Sequence, residues 1–126
     1  MLVYEGGESL RLDEYSIQEG IRGLRRLMNH VGLRKSKLNK QNNVVFDSST
    51  WVRAPKAGLF VTSKKAGTFV NEGDKLGRIT DPYGHQEVHV LAKKSGYIYG
   101  LNNRPVVNVG DALYHIGYDV DFVIHE

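Results

Sequence analysis

Apolar side chains recur at intervals of three, four and seven along residues 14–31 and predict a single amphipathic helix. Either Asp13 or Ser16 can cap its first turn. Gly20 and Gly23 are poor helix formers, and a glycine on a helix often lets another element approach closely. An isolated helix of this length is marginally stable in water, so its apolar face needs a partner surface. That face, the helix stripe, consists of Ile17, Ile21, Leu24, Leu27, Met28 and Val31.

After residue 44 the pattern changes to short apolar runs that glycine and proline interrupt. Short strands with frequent turn signals are typical of a β sandwich or barrel, so the fold is expected to be mainly β with one preceding helix. The predicted strands are 51–54, 58–62, 67–70, 75–79, 86–91, 96–100, 105–108 and 112–116. Residues 34–49 are predicted to be a polar, basic linker, 50–118 the β-domain, and 119–126 a tail or an edge strand.

An internal repeat divides the predicted β-domain into two halves. In each half an alanine-to-glycine segment opens a strand, and a Gly-Asp turn precedes a Leu-x-x-Ile pair. The turn glycine is expected to adopt positive φ, and the leucine and isoleucine are expected to anchor the next strand in the core. Two such halves would bury each other's open faces. The matching positions are Ala54 and Ala92, Gly58 and Gly96, Gly73-Asp74 and Gly110-Asp111, Leu76 and Leu113, and Ile79 and Ile116.

The 126 residues carry 17 basic and 14 acidic side chains, unevenly placed. Residues 22–40, the basic segment, hold seven basic residues and no acidic one. Such a block is most often a solvated helix face that continues into a linker, and contact with an acidic partner is the alternative. No aromatic platform accompanies the basic residues, so nucleic acid is not expected. The absence of cysteine excludes disulfides, thiolate metal sites and cysteine nucleophiles. No apolar run has the length of a membrane span and the N-terminus is not a signal peptide, so a cytoplasmic location without a membrane partner is expected.

Three polar side chains alternate along one predicted strand: His85, Glu87 and His89. Two imidazoles and a carboxylate can act as metal ligands. Such a triplet is more often the solvated face of a hairpin, so no metal site is predicted. Tyr83 lies at the tip of the same hairpin, where an aromatic side chain is more often simply exposed or packed; reach toward a neighbouring cleft, with an influence on substrate access, is the alternative. His115 is expected on a strand face, and Trp51 where the linker enters the β-domain.

The doubled motif resembles the biotinyl/lipoyl-like domain, also called the barrel-sandwich hybrid, over residues 52–116. In carrier members of that family, a modified lysine lies on the tight hairpin between the two halves. The corresponding hairpin here is Thr80-Asp81-Pro82-Tyr83-Gly84-His85, which suits a type I turn and contains no lysine. Neither biotin nor lipoate is therefore expected on this chain.

Motifs along nearly the whole chain resemble the succinylglutamate desuccinylase/aspartoacylase family of zinc carboxypeptidase-like deacylases. They are Tyr-Glu-Gly-Gly-Glu at 4–8, Trp-Val-Arg-Ala-Pro at 51–55, Ile-Thr-Asp-Pro-Tyr-Gly at 79–84 and Gly-Asp-Ala-Leu-Tyr-His-Ile at 110–116. The resemblance implies that residues 1–33 are a strand end and a helix that conclude the α/β catalytic domain. It also implies that the β-domain packs on that domain and shapes substrate access.

The same resemblance implies a reaction, hydrolysis of the amide bond of an N-acylated amino acid or a similar small molecule. In the family, zinc held by a His-x-x-Glu pair and a later histidine polarises the acyl carbonyl and acidifies a bound water. No His-x-x-Glu occurs in this sequence, so the zinc ligands are expected upstream of it, and this chain alone is expected to be inactive. Glu5 matches the family's general base, which moves a proton from the water to the leaving amine.

Two functions are therefore open. In the first, the chain is the C-terminal segment of a zinc-dependent deacylase, and its partners are the missing catalytic domain and a small N-acyl substrate. The helix stripe would then contact that domain or a second copy of the chain. In the second, the chain is a non-catalytic binding module whose basic segment, 22–40, contacts an acidic partner. An upstream sequence carrying the zinc-binding motif would distinguish the two.

Overall fold

The structure is a computed structural model that describes residues 1–8, 10–35 and 42–124. Within these residues one α-helix precedes eight β-strands, which confirms the mainly β fold expected from the sequence. The chain divides into two units, Met1–Gln41 and Asn42–Glu126. The described part of the chain has no helix with the length and apolar character that crossing a bilayer requires.

The helix of the first unit, α1, runs Glu14–His30, within one residue of its predicted end. Asp13 caps its start, because its carboxylate accepts hydrogen bonds from the backbone N–H of Ser16 at 3.3 Å and from the Ser16 hydroxyl at 2.5 Å. Gly32 follows the last turn with a φ of 78°, a conformation that favours glycine and ends a helix. No residue of α1 is buried.

The eight strands of the second unit form two antiparallel sheets, in the orders β1-β8-β6-β3 and β5-β4-β2-β7. The strands are β1 (Asn42–Arg53), β2 (Gly58–Thr62), β3 (Phe69–Val70), β4 (Lys75–Thr80), β5 (Glu87–Leu91), β6 (Gly96–Leu101), β7 (Val106–Val107) and β8 (Ala112–Ile124). Every predicted strand has a counterpart, and the largest differences lie at the two ends of this unit.

The longest pairing joins those two ends. β1 and β8 are antiparallel from Asn42↔Ile124 to Arg53↔Ala112. Residues 42–49, assigned to the linker from the sequence, therefore lie in β1, and residues 119–124, assigned to a tail or an edge strand, continue β8. The mixed polar composition of these two stretches does not predict strands. They form strands because each provides the partners for the backbone hydrogen bonds of the other.

The two halves of the internal repeat exchange strands. β3 of the first half pairs with β6 of the second, and β7 of the second half pairs with β2 of the first. The corresponding loops make the same bonds, since the Ala54 N–H donates to the Asp111 carbonyl at 2.8 Å and the Ala92 N–H donates to the Asp74 carbonyl at 2.9 Å. Both turn glycines have a φ of 86°, as predicted: Gly73 and Gly110. Each half thus completes the sheet of the other.

The core of this unit contains side chains from both halves of the repeat. The predicted Leu-x-x-Ile anchors are at most 1% exposed: Leu76, Ile79, Leu113 and Ile116. The remaining buried side chains come from the other strands and the loops between them: Val52, Ala54, Phe60, Val70, Val90, Ala92, Ile98, Val107 and Tyr114. The repeat detected in the sequence is therefore a repeat of core positions.

Candidate functional site

The predicted general base lies in the short segment before α1. Glu5 is exposed and stands between Tyr4 and Gly6. The family resemblance implies a strand end here in the longer protein; in this chain, described residues 1–6 adopt no strand. A strand needs a neighbour to pair its backbone groups, and no described strand pairs with this segment.

The Tyr4 side chain connects this segment to α1 through a hydrogen bond and a packing contact. Its hydroxyl donates a hydrogen bond to the Ser16 carbonyl at 2.7 Å. Its ring lies against Gly20, where an added Cβ would come within 3.0 Å of the ring atom Cε1. The expectation that a helix glycine admits another element is thus confirmed for Gly20, whereas an added Cβ at Gly23 meets its first neighbouring atom only at 4.0 Å. Tyr4 was not singled out from the sequence.

A cleft of about 180 Å³ lies between this segment and the first turn of α1. Its lining residues are Tyr4, Gly6, Gly7, Arg11, Leu12, Asp13, Ser16 and Ile17. Glu5 stands between two of these residues in the chain. The hydrogen bond from the Ser16 hydroxyl is the largest influence that lowers the pKa of Asp13. The cleft is smaller than the roughly 300 Å³ at which pockets for small molecules begin.

The helix stripe is uncovered within the first unit. Its exposed fractions are Ile17 40%, Ile21 37%, Leu24 58%, Leu27 40% and Val31 56%. A continuous apolar face of this kind is ordinarily buried against another element. The first unit by itself therefore leaves the main packing surface of its helix unused.

The basic segment lies only partly within the described residues. Arg22 forms an ion pair with Glu19 at 3.0 Å on the surface of α1. Lys37 and Lys40 fall outside the described residues. An acidic partner for this segment stays a prediction.

The hairpin between β4 and β5 presents Tyr83 at its tip. The Asp81 carboxylate accepts the Tyr83 N–H at 2.8 Å and also accepts the Gln86 N–H, so one side chain holds both arms of the turn. Burial acts to raise the pKa of Asp81, but these backbone donors outweigh it and lower the pKa. The Tyr83 side chain is 83% exposed and stacks on His85, with ring centroids 5.9 Å apart.

Glu87 lies among cations on the exposed face of β4 and β5. Its carboxylate oxygens lie 3.7 Å from Lys75 Nζ, 3.5 Å from Arg78 Nε and 3.3 Å from His89 Nδ1. Lys75 Nζ also lies 3.3 Å from His89 Nε2. These side chains form a solvated ion-pair cluster. Across residues 1–8, 10–35 and 42–124, no group of three His, Cys, Asp or Glu side chains is arranged to hold a metal ion.

Six rings form a row across the sheet β1-β8-β6-β3, with consecutive centroids 3.8–6.2 Å apart. In order they are Phe69, Tyr97, Phe46, Tyr99, His115 and Trp51. The row includes His115, which was expected on a strand face, and Trp51, which was expected where the linker enters the β-domain. The two rings stack with centroids 3.8 Å apart. His115 Nε2 lies 2.7 Å from the Tyr99 hydroxyl and 3.0 Å from Ser49 Oγ, and burial lowers the pKa of His115.

This row links β1 to the rest of its sheet. Phe46 lies over Gly117, and a Cβ at Gly117 would collide with the Phe46 ring. The sequence shows only one sign of the row, the alternation of Tyr97 and Tyr99 along β6. The other rings come together through strand pairing that the sequence does not reveal.

Comparison with known sequences identifies no relative: no protein-family model and no curated protein matches this chain.

Solved structures match it in fold. A succinylglutamate desuccinylase/aspartoacylase from Rhodobacter sphaeroides has a TM-score of 0.73 at 21% identity, with 86% of this chain and 37% of that chain covered. A succinylglutamate desuccinylase/aspartoacylase family protein from Shewanella amazonensis has a TM-score of 0.78 at 19% identity, with 90% and 33% covered. The ectoine utilization protein EutE (DoeB) from Ruegeria pomeroyi has a TM-score of 0.73 at 22% identity, with 85% and 34% covered.

This chain spans about a third of the length of each of these three proteins. The matched region covers 85–90% of this chain, which is more residues than the second unit contains. The likeness therefore includes residues of the first unit. The chain therefore has the fold of a part of the succinylglutamate desuccinylase/aspartoacylase family structures.

Proposed function

We propose that this chain is the C-terminal segment of a zinc-dependent deacylase that hydrolyses the amide bond of an N-acylated amino acid or a similar small molecule. The likeness in fold to succinylglutamate desuccinylase/aspartoacylase structures carries the proposal, because it covers 85–90% of this chain. The four motifs in the sequence support it independently, since they occur in the family's order.

In this proposal Glu5 is the general base. Its carboxylate takes a proton from the attacking water and passes it to the leaving amine. Glu5 is exposed, and its two chain neighbours Tyr4 and Gly6 line the cleft. The exposure supports the role, because a general base must be accessible to the substrate. The small size of the cleft fits a site completed by residues outside this chain.

The described residues do not by themselves fit zinc. They contain no group of three side chains that could hold a metal ion, and Glu87 is paired with Lys75 and Arg78. Zinc ligands would therefore come from the part of the protein upstream of this chain. This chain alone is accordingly proposed to be inactive.

The helix stripe is proposed to pack against the upstream catalytic domain. Five of its apolar side chains are 37–58% exposed in the first unit, and burial of such a face is what stabilises an amphipathic helix. The same contact would hold the segment that contains Glu5 next to the rest of the active site.

The second unit is proposed to be a relative of the barrel-sandwich hybrid whose hairpin between the two halves has no lysine. Strand exchange between its two halves and their matching Gly-Asp turns support this assignment. The turn 81–86 presents Tyr83 where a carrier domain would present its lysine. Tyr83 is accordingly proposed to line the substrate entrance, with no covalent biotin or lipoate on the chain.

The test uses the full-length protein and a panel of N-acyl amino acids, with release of the free amine measured. Glu5→Gln keeps the size of the side chain and removes its basicity, so kcat is expected to fall at least about a hundredfold with zinc content unchanged. Glu8→Gln is the matched control, because it makes the same chemical change in the same segment. Glu8 forms an exposed ion pair with Arg11 at 3.5 Å, and loss of such a pair should leave kcat within about twofold. Deacylase activity that survives Glu5→Gln with zinc retained would remove Glu5 from the mechanism, and absence of amine release by the unaltered full-length protein would contradict the deacylase proposal.

A further inference from the structure

We infer that Tyr4 is the positioning residue of Glu5. The inference rests on the proposed function, because it concerns how the general base is held in place. A general base must lie within a fraction of an ångström of its productive position, and Glu5 itself lies in a segment without regular secondary structure. A contact outside that segment must therefore locate it.

The Tyr4 phenol is anchored on α1 at a place where the helix has no side chain. In an α-helix the Ser16 carbonyl points toward residue 20, its own hydrogen-bond partner. Because residue 20 is glycine, this carbonyl is open from the side, and the Tyr4 hydroxyl reaches it at 2.7 Å. An alanine at this position would bring its Cβ within 3.0 Å of the Tyr4 ring.

Both chain neighbours of Glu5 are held at this anchor. Tyr4, which precedes Glu5, is the anchoring residue. Gly6, which follows Glu5, packs against the Tyr4 hydroxyl so closely that a Cβ added at Gly6 would lie 2.5 Å from the phenol oxygen. Gly7 then turns the chain with a φ of 84° toward the first turn of α1. The backbone on each side of the carboxylate is thus located relative to the helix.

Two alanine substitutions on the same helix separate this role from helix stability. Gly20→Ala and Gly23→Ala both favour the helix, but only the first displaces the Tyr4 ring, because a Cβ at Gly23 meets nothing closer than Arg26 Nη2 at 4.0 Å. In the full-length protein Gly20→Ala is expected to lower kcat about tenfold with KM unchanged. Gly23→Ala is expected to leave both constants within about twofold.

Tyr4→Phe tests the hydrogen bond alone, because the ring keeps its place against Gly20. It is expected to lower kcat by less than Gly20→Ala, and the double variant is expected to lower kcat by less than the product of the two single effects, since both act on one contact. Circular dichroism should show at least wild-type helix content for Gly20→Ala and Gly23→Ala, so that a fall in kcat is not a loss of fold.

The two possible failures can be told apart. If Glu5→Gln is inactive while Gly20→Ala and Tyr4→Phe keep wild-type kcat and KM, the positioning role of Tyr4 is overturned and the deacylase proposal stands. Equal losses for Gly20→Ala and Gly23→Ala would also overturn it. If Glu5→Gln keeps full deacylase activity, the general base lies elsewhere, and the catalytic role of Glu5 and the positioning role of Tyr4 both fail.

Discussion

The phenol of Tyr114, on β8, donates a hydrogen bond of 2.5 Å to the backbone carbonyl of Leu76, on β4. The two strands belong to different sheets, so this bond ties the sheets together through the core. Thr62 Oγ1, on β2, lies 2.6 Å from the same phenol oxygen. The Tyr114 side chain has no exposed surface, and this burial raises the pKa of its hydroxyl.

Tyr114→Phe should therefore destabilise the β-unit. The substitution keeps the ring and removes a buried hydroxyl that bridges two sheets, so the free energy of unfolding is expected to fall by about 1–2 kcal/mol. Urea denaturation followed by tryptophan fluorescence from Trp51 measures it. Tyr118→Phe, on the same strand, is the control and should change the free energy by less than about 0.5 kcal/mol. Equal effects of the two substitutions would show that the bridge is unimportant.

The raised pKa of Tyr114 also predicts an alkaline loss of stability. Because the folded-state pKa lies above the unfolded value of about 10, the contribution of this group is complete below pH 10 and is lost as the pH rises toward the folded-state value. The difference in free energy of unfolding between the wild type and Tyr114→Phe should therefore shrink above about pH 10. A difference that is constant with pH would contradict this assignment.

Gly117→Ala should weaken the attachment of β1. The new methyl group would occupy the space of the Phe46 ring, so the ring must leave its stack on Tyr99, whose centroid lies 5.5 Å away. Such overpacking typically costs about 1–3 kcal/mol, measured here by thermal unfolding. The double variant Phe46→Ala/Gly117→Ala is the control: with the ring absent, the added methyl should cost much less. If Gly117→Ala destabilises the protein equally with and without the Phe46 ring, the destabilisation comes from the backbone at residue 117 and not from the ring.

Acid should loosen the hairpin tip through Asp81. The pKa of this carboxyl is lowered in the folded chain, so its stabilisation of the turn is present above the ordinary value near 4 and is lost as the pH falls through the folded-state pKa. The Tyr83 amide resonance should titrate in this range, because that N–H donates to Asp81 at 2.8 Å. In Asp81→Asn the acid transition of this resonance should vanish. A transition that persists would assign it to another group.

Hydrogen exchange should separate the two units of this chain. The amides of α1 are expected to exchange much faster than those of β4 and β8, because α1 has no buried residue while the core strands enclose Leu76, Leu113 and Ile116. The measurement requires a dilute monomer, and sedimentation provides the check. Equal protection of α1 and the core strands would mean that the helix stripe is already covered.

The sequence was most informative where the cause of a structure is local. The spacing of Ile17, Ile21 and Leu24 indicates a helix whatever surrounds it. The helix ends at His30, just before Gly32, which accepts a positive φ. The repeated turns at Gly73 and Gly110 follow from the same property of glycine. Glu5 was singled out by its motif and Tyr83 by its turn, since both are contiguous in the chain, and the functional role of each stays a prediction.

Contacts between residues that are distant in the sequence emerged only from the folded chain. The extension of β1 back to Asn42 depends on its pairing with β8, the row of six rings depends on strand order, and the anchor of Tyr4 depends on a helix carbonyl that faces a glycine. Local patterns report how a segment can fold, through its backbone preferences and its apolar face. They do not report which partner completes it, because that choice is made by packing the whole unit at once.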